Sequence, residues 1–483
     1  MTASADKKKS GGLGRIFRNF GSLTAGKILG DVFLFFLFVM LSRAFGQEGL
    51  GQYSFAMALT GFFMVVSDFG LEFLTIKEMS RHKGALSEYY GSIFALRILQ
   101  SLAASLLLLL LLLVLPMTLE TKIIVGLIGI YQFTYKIMDG FAAIFVAREE
   151  MHLAALLTST LRIVAALLAV GVIVLGGGLI ETLVVLPIVG LIQVVLGYIM
   201  VSRRQGRLKL AISRQYIADT MGRAWPYAVS EFLRQLSTRT DVVMLGFLLG
   251  TAAAGVYNVA YRIIFMLLFL PYFAAMSLFP LASKLFADAS DEIVPLYHKA
   301  LNANILVGIP ASFGLWLIAP DLILLIFGAE FAESAGVLRW LAWLVLFFCL
   351  KFMMQIFLMS CDKQDEMTSS QWVAAGINVV GTLVLILTLG ITGAAIATLV
   401  SEAVLVGLYA WRLQGVLGWP QIGVRMAIGS IAAASFYLPM LIMPSLSFII
   451  FIPLAALMYA GALILFKEIR NNELQTLMSL IRR

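Results

Sequence analysis

Long apolar runs, roughly 20 residues or more each, follow one another along the chain and are separated by short polar or glycine-bearing turns. An α-helix rises about 1.5 Å per residue, so runs of this length suit helices crossing a hydrocarbon core of about 30 Å. Fourteen helices are predicted, near 20–45, 49–74, 88–115, 121–147, 153–175, 180–202, 221–249, 253–279, 296–319, 335–361, 367–389, 391–413, 422–443 and 447–467. The weaker, alternating segments of a membrane β-barrel are absent. The longer connections near 76–88, 203–220 and 280–297 are partly amphipathic and predict surface helices on the inner leaflet. On the opposite side, 320–334, with Asp321, Glu330 and Glu333, predicts a short helical cap.

Composition supports the pattern. Of 483 residues, 61% are hydrophobic and 13% charged, and the mean hydropathy is +0.96. The class is all-α: a polytopic membrane protein. The net charge of +8 does not point to nucleic acid, because the basic residues cluster in alternate connections. Lys77, Arg81 and Lys83, then Arg148, then Arg203, Arg204, Arg207, Lys209 and Arg214 lie on one side, as do Lys284, Lys363, Arg412 and the C-terminal Lys467, Arg470, Arg482 and Arg483. The other side has little beyond Arg43 and Lys122. The positive-inside rule therefore places both termini in the cytoplasm. Residues 1–19, with Lys7, Lys8, Lys9, Arg15 and Arg18, read as a disordered basic tail, and no cleavable signal peptide is evident.

Little in the chain suggests metal or covalent chemistry. Cys349 and Cys361 form neither a disulfide framework nor a metal spacing, and His82, His152 and His298 fall in or beside predicted loops. No phosphate-binding G-x-x-x-x-G-K-[ST] loop, HExxH or GxSxG occurs, so no enzymatic activity, metal or organic cofactor is expected.

An internal repeat sets the organisation. Gly46, Gly51, Tyr53 and Ala56 match Gly250, Gly255, Tyr257 and Ala260 in the pattern G-x-x-x-x-G-x-Y-x-x-A, each offset by 204 residues. Both copies sit at an outer turn between long helices. Six helices separate them, so the halves would share orientation about an axis along the bilayer normal. The expected division is a tail at 1–19, an N-lobe of helices 1–6 at 20–220, a C-lobe of helices 7–12 at 221–414 facing it across a central cavity, and an appendage of helices 13 and 14 with a cytoplasmic tail at 415–483.

The first half reads NFGSLTAGKILGD, LSRAFGQEGLGQYSFAMALTGFF and SDFGLEFLTIKEMSR, and the second PYAVSEFLRQLSTRTDVVMLGFLLGTAAAGVYNVAYR. Over nearly the whole chain this resembles the polysaccharide-transporter flippases of the multidrug/oligosaccharidyl-lipid/polysaccharide (MOP) superfamily. The resemblance implies a V-shaped, two-lobe transporter of the cytoplasmic membrane working by alternating access. Its substrate would be a lipid-linked oligosaccharide, usually on undecaprenyl diphosphate, and it would serve surface polysaccharide synthesis. It also implies membrane lipids as surroundings, a polysaccharide polymerase and glycosyltransferases as partners, and a coupling cation, Na+ or H+.

A diphosphate head group needs cations held away from water. Cations distant from predicted helix ends are Lys27, Arg97, Lys136, Arg162, Arg234, Arg239, Arg262 and Lys351, and comparable acids are Asp31, Asp139, Glu231, Asp241 and Glu402. Eight cations against five acids suits a diphosphate better than a cationic drug. In helix 7, Arg234, Thr238 and Asp241 share a face at i, i+4 and i+7 with Glu231 close by, either as a structural ion cluster or with Arg234 free to grip phosphate. Arg239 points away from Arg234. In helix 1, Lys27 and Asp31 are i, i+4 beside the G-x-x-x-G of Gly26 and Gly30, which favours close helix contact. Lys27 could pair there, snorkel or line the cavity. Gln132, Lys136 and Asp139 form a polar face on helix 4, Arg97 shares one with Gln100 and Ser101, and Arg162 lies four residues from Thr158. Arginines at such depth cost roughly 2.5–3.5 kcal/mol on an insertion scale, so these should face protein or cavity.

In helix 8, Asn258 and Arg262 lie beside Tyr257 and Tyr261, which read as sugar-stacking rings or interfacial anchors. Lys351, isolated mid-helix with Gln355 one turn on, reads as a cavity cation. Asp31, Asp139 or Glu402 could carry ion coupling, with salt bridges as the other reading. Two rivals remain beside the flippase: a cation-coupled multidrug exporter of the same superfamily, and a membrane scaffold for glycosyltransferases.

Overall fold

The computed structural model describes residues 2–81, 87–205, 214–420, 422–436 and 448–465. The described elements are helical, as the apolar runs require, and the chain is a polytopic all-α membrane protein. Its helices are α1 (Thr2–Asp68), α2 (Leu71–Arg81), α3 (Ser87–Val114), α4 (Leu119–Ala147), α5 (Met151–Ala155), α6 (Leu161–Val174), α7 (Leu179–Gln205), α8 (Arg214–Leu248), α9 (Thr251–Leu267), α10 (Phe269–Ala287), α11 (Ile293–Phe327), α12 (Ser334–Leu341), α13 (Leu344–Ser360), α14 (Gln364–Leu389), α15 (Ile391–Leu417), α16 (Gly423–Ala434) and α17 (Phe448–Leu465). Among the described residues, nine helices are long and apolar enough to cross a membrane, with the stretch Gly26–Glu78 counted as one. α4 and α8 are not among the nine. These two carry many of the intramembrane charges.

Several predicted segments meet the structure with a change. The predicted break between 20–45 and 49–74 falls at Gly46 within α1, whose φ of 61° is left-handed, while 49–74 is itself interrupted at Phe69 and Gly70, between α1 and α2. The backbone of α1 is helical from Thr2. No separate surface helix forms over 280–297, because α10 and α11 extend into it from both sides, leaving only Asp288–Glu292 between them. The outer cap over 320–334 reduces to the end of α11 and a 3-10 turn, Ala329–Phe331, with Phe331 fully buried. The expected span 253–279 divides at Leu268, where Pro271 lacks the N–H that would bond three to four residues back. Predicted features on 206–213 (with Arg207 and Lys209), on His82 and on the tail beyond 465 lie outside the described residues.

The chain divides into two compact units, Met1–Gly255 and Val256–Arg483. In the first, α4 packs against α1, α3 and α7, and α8 lies along α1. Small residues set the close approaches. Gly26 faces Ser159 and Ala155, and Gly30 faces the Arg162 side chain, so the G-x-x-x-G face of helix 1 does meet a neighbour closely. That neighbour contains a π-helical turn, Leu156–Thr160, between α5 and α6. Along the α1–α8 seam, Phe55 packs on Gly246 and stands edge-on to Phe247 at 5.1 Å. Further along, Phe69 meets Trp225 at 5.8 Å and Phe73 stacks on Tyr227 at 5.9 Å.

The repeated turns touch each other. A β-carbon on Gly51 would overlap the Thr251 carbonyl, and one on Gly255 would overlap the Gln47 carbonyl. Gln47 and Thr251 are themselves 204 residues apart, as are Gly51 and Gly255. The contact is therefore reciprocal, each glycine meeting the backbone opposite its partner. The Thr251 hydroxyl also donates to the Glu48 carboxylate.

The second unit is centred on α11, α13 and α15. Tyr297, Leu301 and Ile305 pack with Leu346, Met353 and Phe357 and with Tyr409 and Leu413. The C-terminal helices join this core: the Tyr459 hydroxyl of α17 donates to the Leu306 carbonyl at 2.9 Å, and Gly429 of α16 rests on Ile309.

Candidate functional site

Charges at membrane depth need partners, and in the first unit they find them between helices. Arg97 Nη1 donates to Asp68 Oδ1 at 2.7 Å, with side chains 1% and 5% exposed. The same nitrogen donates to the Lys136 carbonyl at 3.0 Å. The Lys136 ammonium lies 3.3 Å from Glu72 Oε2 and 3.3 Å from Asp139 Oδ2. Beside this knot, Arg162 Nη1 bonds Asp31 Oδ1 at 3.1 Å, its Nη2 donates to the Tyr135 hydroxyl, and its guanidinium sits 4.6 Å from the Tyr135 ring centre. Five helices thus contribute to a continuous charged layer.

This arrangement corrects several sequence expectations. Asp31 pairs with Arg162 of α6, not with Lys27 one turn away; Lys27 is exposed. Gln132 leaves the Lys136–Asp139 face and donates to the Met57 carbonyl at 3.1 Å and to Thr60. Thr158, four residues from Arg162, donates to the Ala154 carbonyl at 2.9 Å. The face of Arg97, Gln100 and Ser101 does hold together, for Ser101 meets Ser67 at 2.8 Å and Gln100 reaches Met221 at 3.2 Å. The sequence reading missed Asp68 and Glu72, which lie near a predicted helix end. Their spacing of four residues across Gly70 was the available signal. With them, seven acids stand against the eight cations, and the cationic excess nearly vanishes.

On α8, Arg234 grips Glu231 with two nitrogens, Nε to Oε2 at 2.8 Å and Nη2 to Oε1, and Gln235 adds a bond to Oε1 at 2.9 Å. The Arg234 side chain remains 58% exposed. Asp241 is 3% exposed, so the expected shared face of Arg234, Thr238 and Asp241 spans two different environments. Arg239 is half-buried and its chain runs beside Gly61 of α1.

In the second unit Lys351 is not isolated. Its ammonium lies 2.8 Å from the Glu402 carboxylate, with exposures of 15% and 10%, and 4.0 Å from the Phe348 ring centre. Lys351→Met is expected to cost about 2–3 kcal/mol by leaving Glu402 half-stranded, and adding Glu402→Gln to restore most of it. Thermal unfolding in detergent would read both, and equal melting of single and double variants would rule the pairing out as the cause. Tyr257 is buried, stacks on Tyr261 at 6.0 Å and meets the Thr398 hydroxyl at 3.4 Å, which makes it a packing residue more than an interfacial anchor. Asn258, Tyr261 and Arg262 lie half-buried on the same helix. Asn378 bonds Thr398 at 3.3 Å and Ser401 at 3.4 Å. Among the described residues no cluster of His, Cys, Asp and Glu could hold a metal ion.

Ion pairs, several of them buried, thus tie together the helices of an integral membrane protein. Residues 16–286 match the model of the polysaccharide biosynthesis protein family, and residues 226–384 match the MatE model. The chain belongs to the polysaccharide biosynthesis protein family. It is 26% identical over 174 residues to a Haloferax volcanii protein named "Probable low-salt glycan biosynthesis flippase Agl15", covering 36% of this chain and 37% of that protein. The chain thus spans little more than a third of that relative's length. Among solved structures it superposes on the lipid II flippase MurJ in an inward closed conformation, with a TM-score of 0.75 at 16% identity over 92% of this chain and 99% of that one. An inward-facing multidrug resistance MATE family transporter of the MOP superfamily gives a TM-score of 0.59 at 14% identity, covering 84% and 94%. These two likenesses are of fold.

Proposed function

We propose that the chain is a flippase moving a lipid-linked oligosaccharide, on undecaprenyl diphosphate or a similar carrier, across the cytoplasmic membrane by alternating access. The product would feed a surface polysaccharide, with a polymerase and glycosyltransferases as neighbours and both termini in the cytoplasm. The observation that carries this reading is Arg234. Arg97, Lys136, Arg162 and Lys351 are committed to carboxylates in largely buried pairs. The Arg234 fork is also paired, through two nitrogens with Glu231 one turn earlier, but its side chain stays exposed. Such a fork can exchange one bidentate oxygen pair for another, a carboxylate for a phosphate, with little reorganisation. Membership of the polysaccharide biosynthesis family and the likeness to proteins named flippases support the same reading.

Arg234→Ala is expected to lower surface glycan about ten- to a hundredfold, the value of one charge-assisted contact, with Arg234→Lys in between and membrane levels unchanged. Depletion of the protein, followed by lipid extraction, should show lipid-linked glycan building up on the inner leaflet, and no build-up would sink the proposal. The multidrug-exporter reading gains from the MatE match over 226–384 and from the near balance of acids and cations. Drug sensitivity with intact glycan in a deletion strain would select it.

A further inference from the structure

The face of α8 that carries Arg234 extends toward the start of the helix. Arg223, Tyr227, Glu231, Arg234 and Thr238 follow one another at three- and four-residue spacings, so they form one stripe. The start of α2 crosses α8 beside this stripe. There a β-carbon on Gly70 would come within 2.5 Å of Tyr227 Cβ and 2.9 Å of the Ala224 carbonyl. From α2, Phe73 stacks on the Tyr227 ring, with 5.9 Å between centres and 17° between planes. Lys77, four residues on and on the same face as Phe73, donates to the Tyr227 hydroxyl at 3.5 Å. Glu78 pairs with Arg223 at 3.3 Å.

Phe73 is 59% exposed. A ring that anchors a helix in lipid keeps apolar neighbours, whereas this one stands among ionised groups: Glu72 before it, Lys77 on its own face, and the Arg223–Glu78 pair beside its partner ring. The opposite side of α8 supplies the contrast. Trp225 and Phe232, seven residues apart, are exposed there and make an apolar stripe fit for lipid. A ring face with a charged and hydroxylic border suits a pyranose instead. The sugar's axial C–H groups meet the electron-rich face of the ring, and its hydroxyls reach the polar border. Tyr227 lies seven residues from Arg234, about 10 Å along the helix, which is the reach from a diphosphate to the sugars it carries.

We propose that Phe73 and Tyr227 form a sugar-stacking subsite, which receives a pyranose ring of the substrate while Arg234 holds its diphosphate. Phe73 offers the exposed ring, and Tyr227 backs it and is itself fixed by Lys77. Lys77, Glu78 and Arg223 border the subsite and exchange hydrogen bonds with the sugar hydroxyls. The inference rests on the flippase reading and deepens it, for the subsite distinguishes the glycan, whereas Arg234 meets the part common to every diphosphate-linked lipid. The rings that the sequence suggested for this task lie on α9, where Tyr257 is buried.

The test measures, by native mass spectrometry, the binding of two ligands to the purified full chain in detergent: the lipid-linked glycan extracted from cells depleted of the protein, and undecaprenyl diphosphate alone. Phe73→Leu keeps apolar bulk at an exposed position and removes the ring. It should weaken binding of the glycolipid about tenfold and leave undecaprenyl diphosphate unchanged, while Phe73→Trp should keep both. Arg234→Ala should weaken both ligands, and Trp225→Leu, on the far side of α8, neither. Unchanged glycolipid binding by Phe73→Leu overturns the proposal. So does an equal loss for both ligands, which would assign Phe73 to the lipid. Binding of undecaprenyl diphosphate as tight as that of the glycolipid sinks the subsite alone, whereas binding of neither ligand sinks the flippase reading with it.

Discussion

Arg97→Ala is expected to destabilise the protein by about 3–5 kcal/mol, the usual cost of leaving one member of a buried ion pair without the other. Asp68, 5% exposed, would keep a charge with no counterion, and the Lys136 carbonyl would lose a donor. The guanidinium also lies against Gly140, where a β-carbon would come within 2.7 Å of Arg97 Cδ, so truncation opens a void between α3 and α4. The pairing argument has a sharper consequence. Arg97→Leu combined with Asp68→Leu should recover most of the loss, because two apolar groups of similar bulk need no counterion. Thermal unfolding in detergent, arranged as a double-mutant cycle, measures the coupling. Losses that simply add would show that Arg97 acts by bulk alone.

The second large effect is expected at the repeated turn. Gly51→Val places a branched side chain where the Thr251 carbonyl already stands, and both sides of the contact are backbone. Overpacking of this kind costs about 1–3 kcal/mol or more, and here no side chain can swing aside. Gly255→Val should cost as much through the Gln47 carbonyl. Gly126→Ala makes the contrast: it sits inside α4 with nothing near its missing β-carbon, so it should gain about 0.5–1 kcal/mol from a stiffer unfolded chain. Melting temperature and folded yield in membranes would order the three variants, and a Gly51→Val protein as stable as Gly126→Ala would contradict the close approach.

What the sequence made legible was whatever lies along one helix. The apolar runs located most of the nine long apolar helices among the described residues, because length and hydropathy are local. The pairs Glu231–Arg234 and Lys136–Asp139 were within reach for the same reason: three residues separate each. The pairs that cross between helices were not. Lys351 and Glu402 lie 51 residues apart, and nothing in either segment names the other. Lys27 and Asp31 illustrate the opposite error, since a favourable spacing suggested a pair while the closer G-x-x-x-G contact delivered Arg162 to Asp31 instead. Asp68 and Glu72 escaped notice because an acid near a predicted helix end is ordinarily solvated. Here the chain turns at Phe69 and Gly70, with φ of 45° and 77°, and α2 continues the span, which carries both acids inward.

The contact between the two glycine turns has the geometry of an isologous interface, the kind by which identical subunits pair across a twofold axis, drawn here within one polypeptide. In such an interface a position meets the counterpart of its own contact. A side chain added at Gly51 intrudes on the segment that ends in Gly255, and the reverse holds, so a substitution at either glycine displaces the other turn. Elsewhere the offset of 204 residues imposes no such bond: it sets Lys27 against Glu231 and Asp31 against Gln235, and the charges differ. Within the first unit, one point of backbone is thus fixed from both sides by the two turns that share the motif.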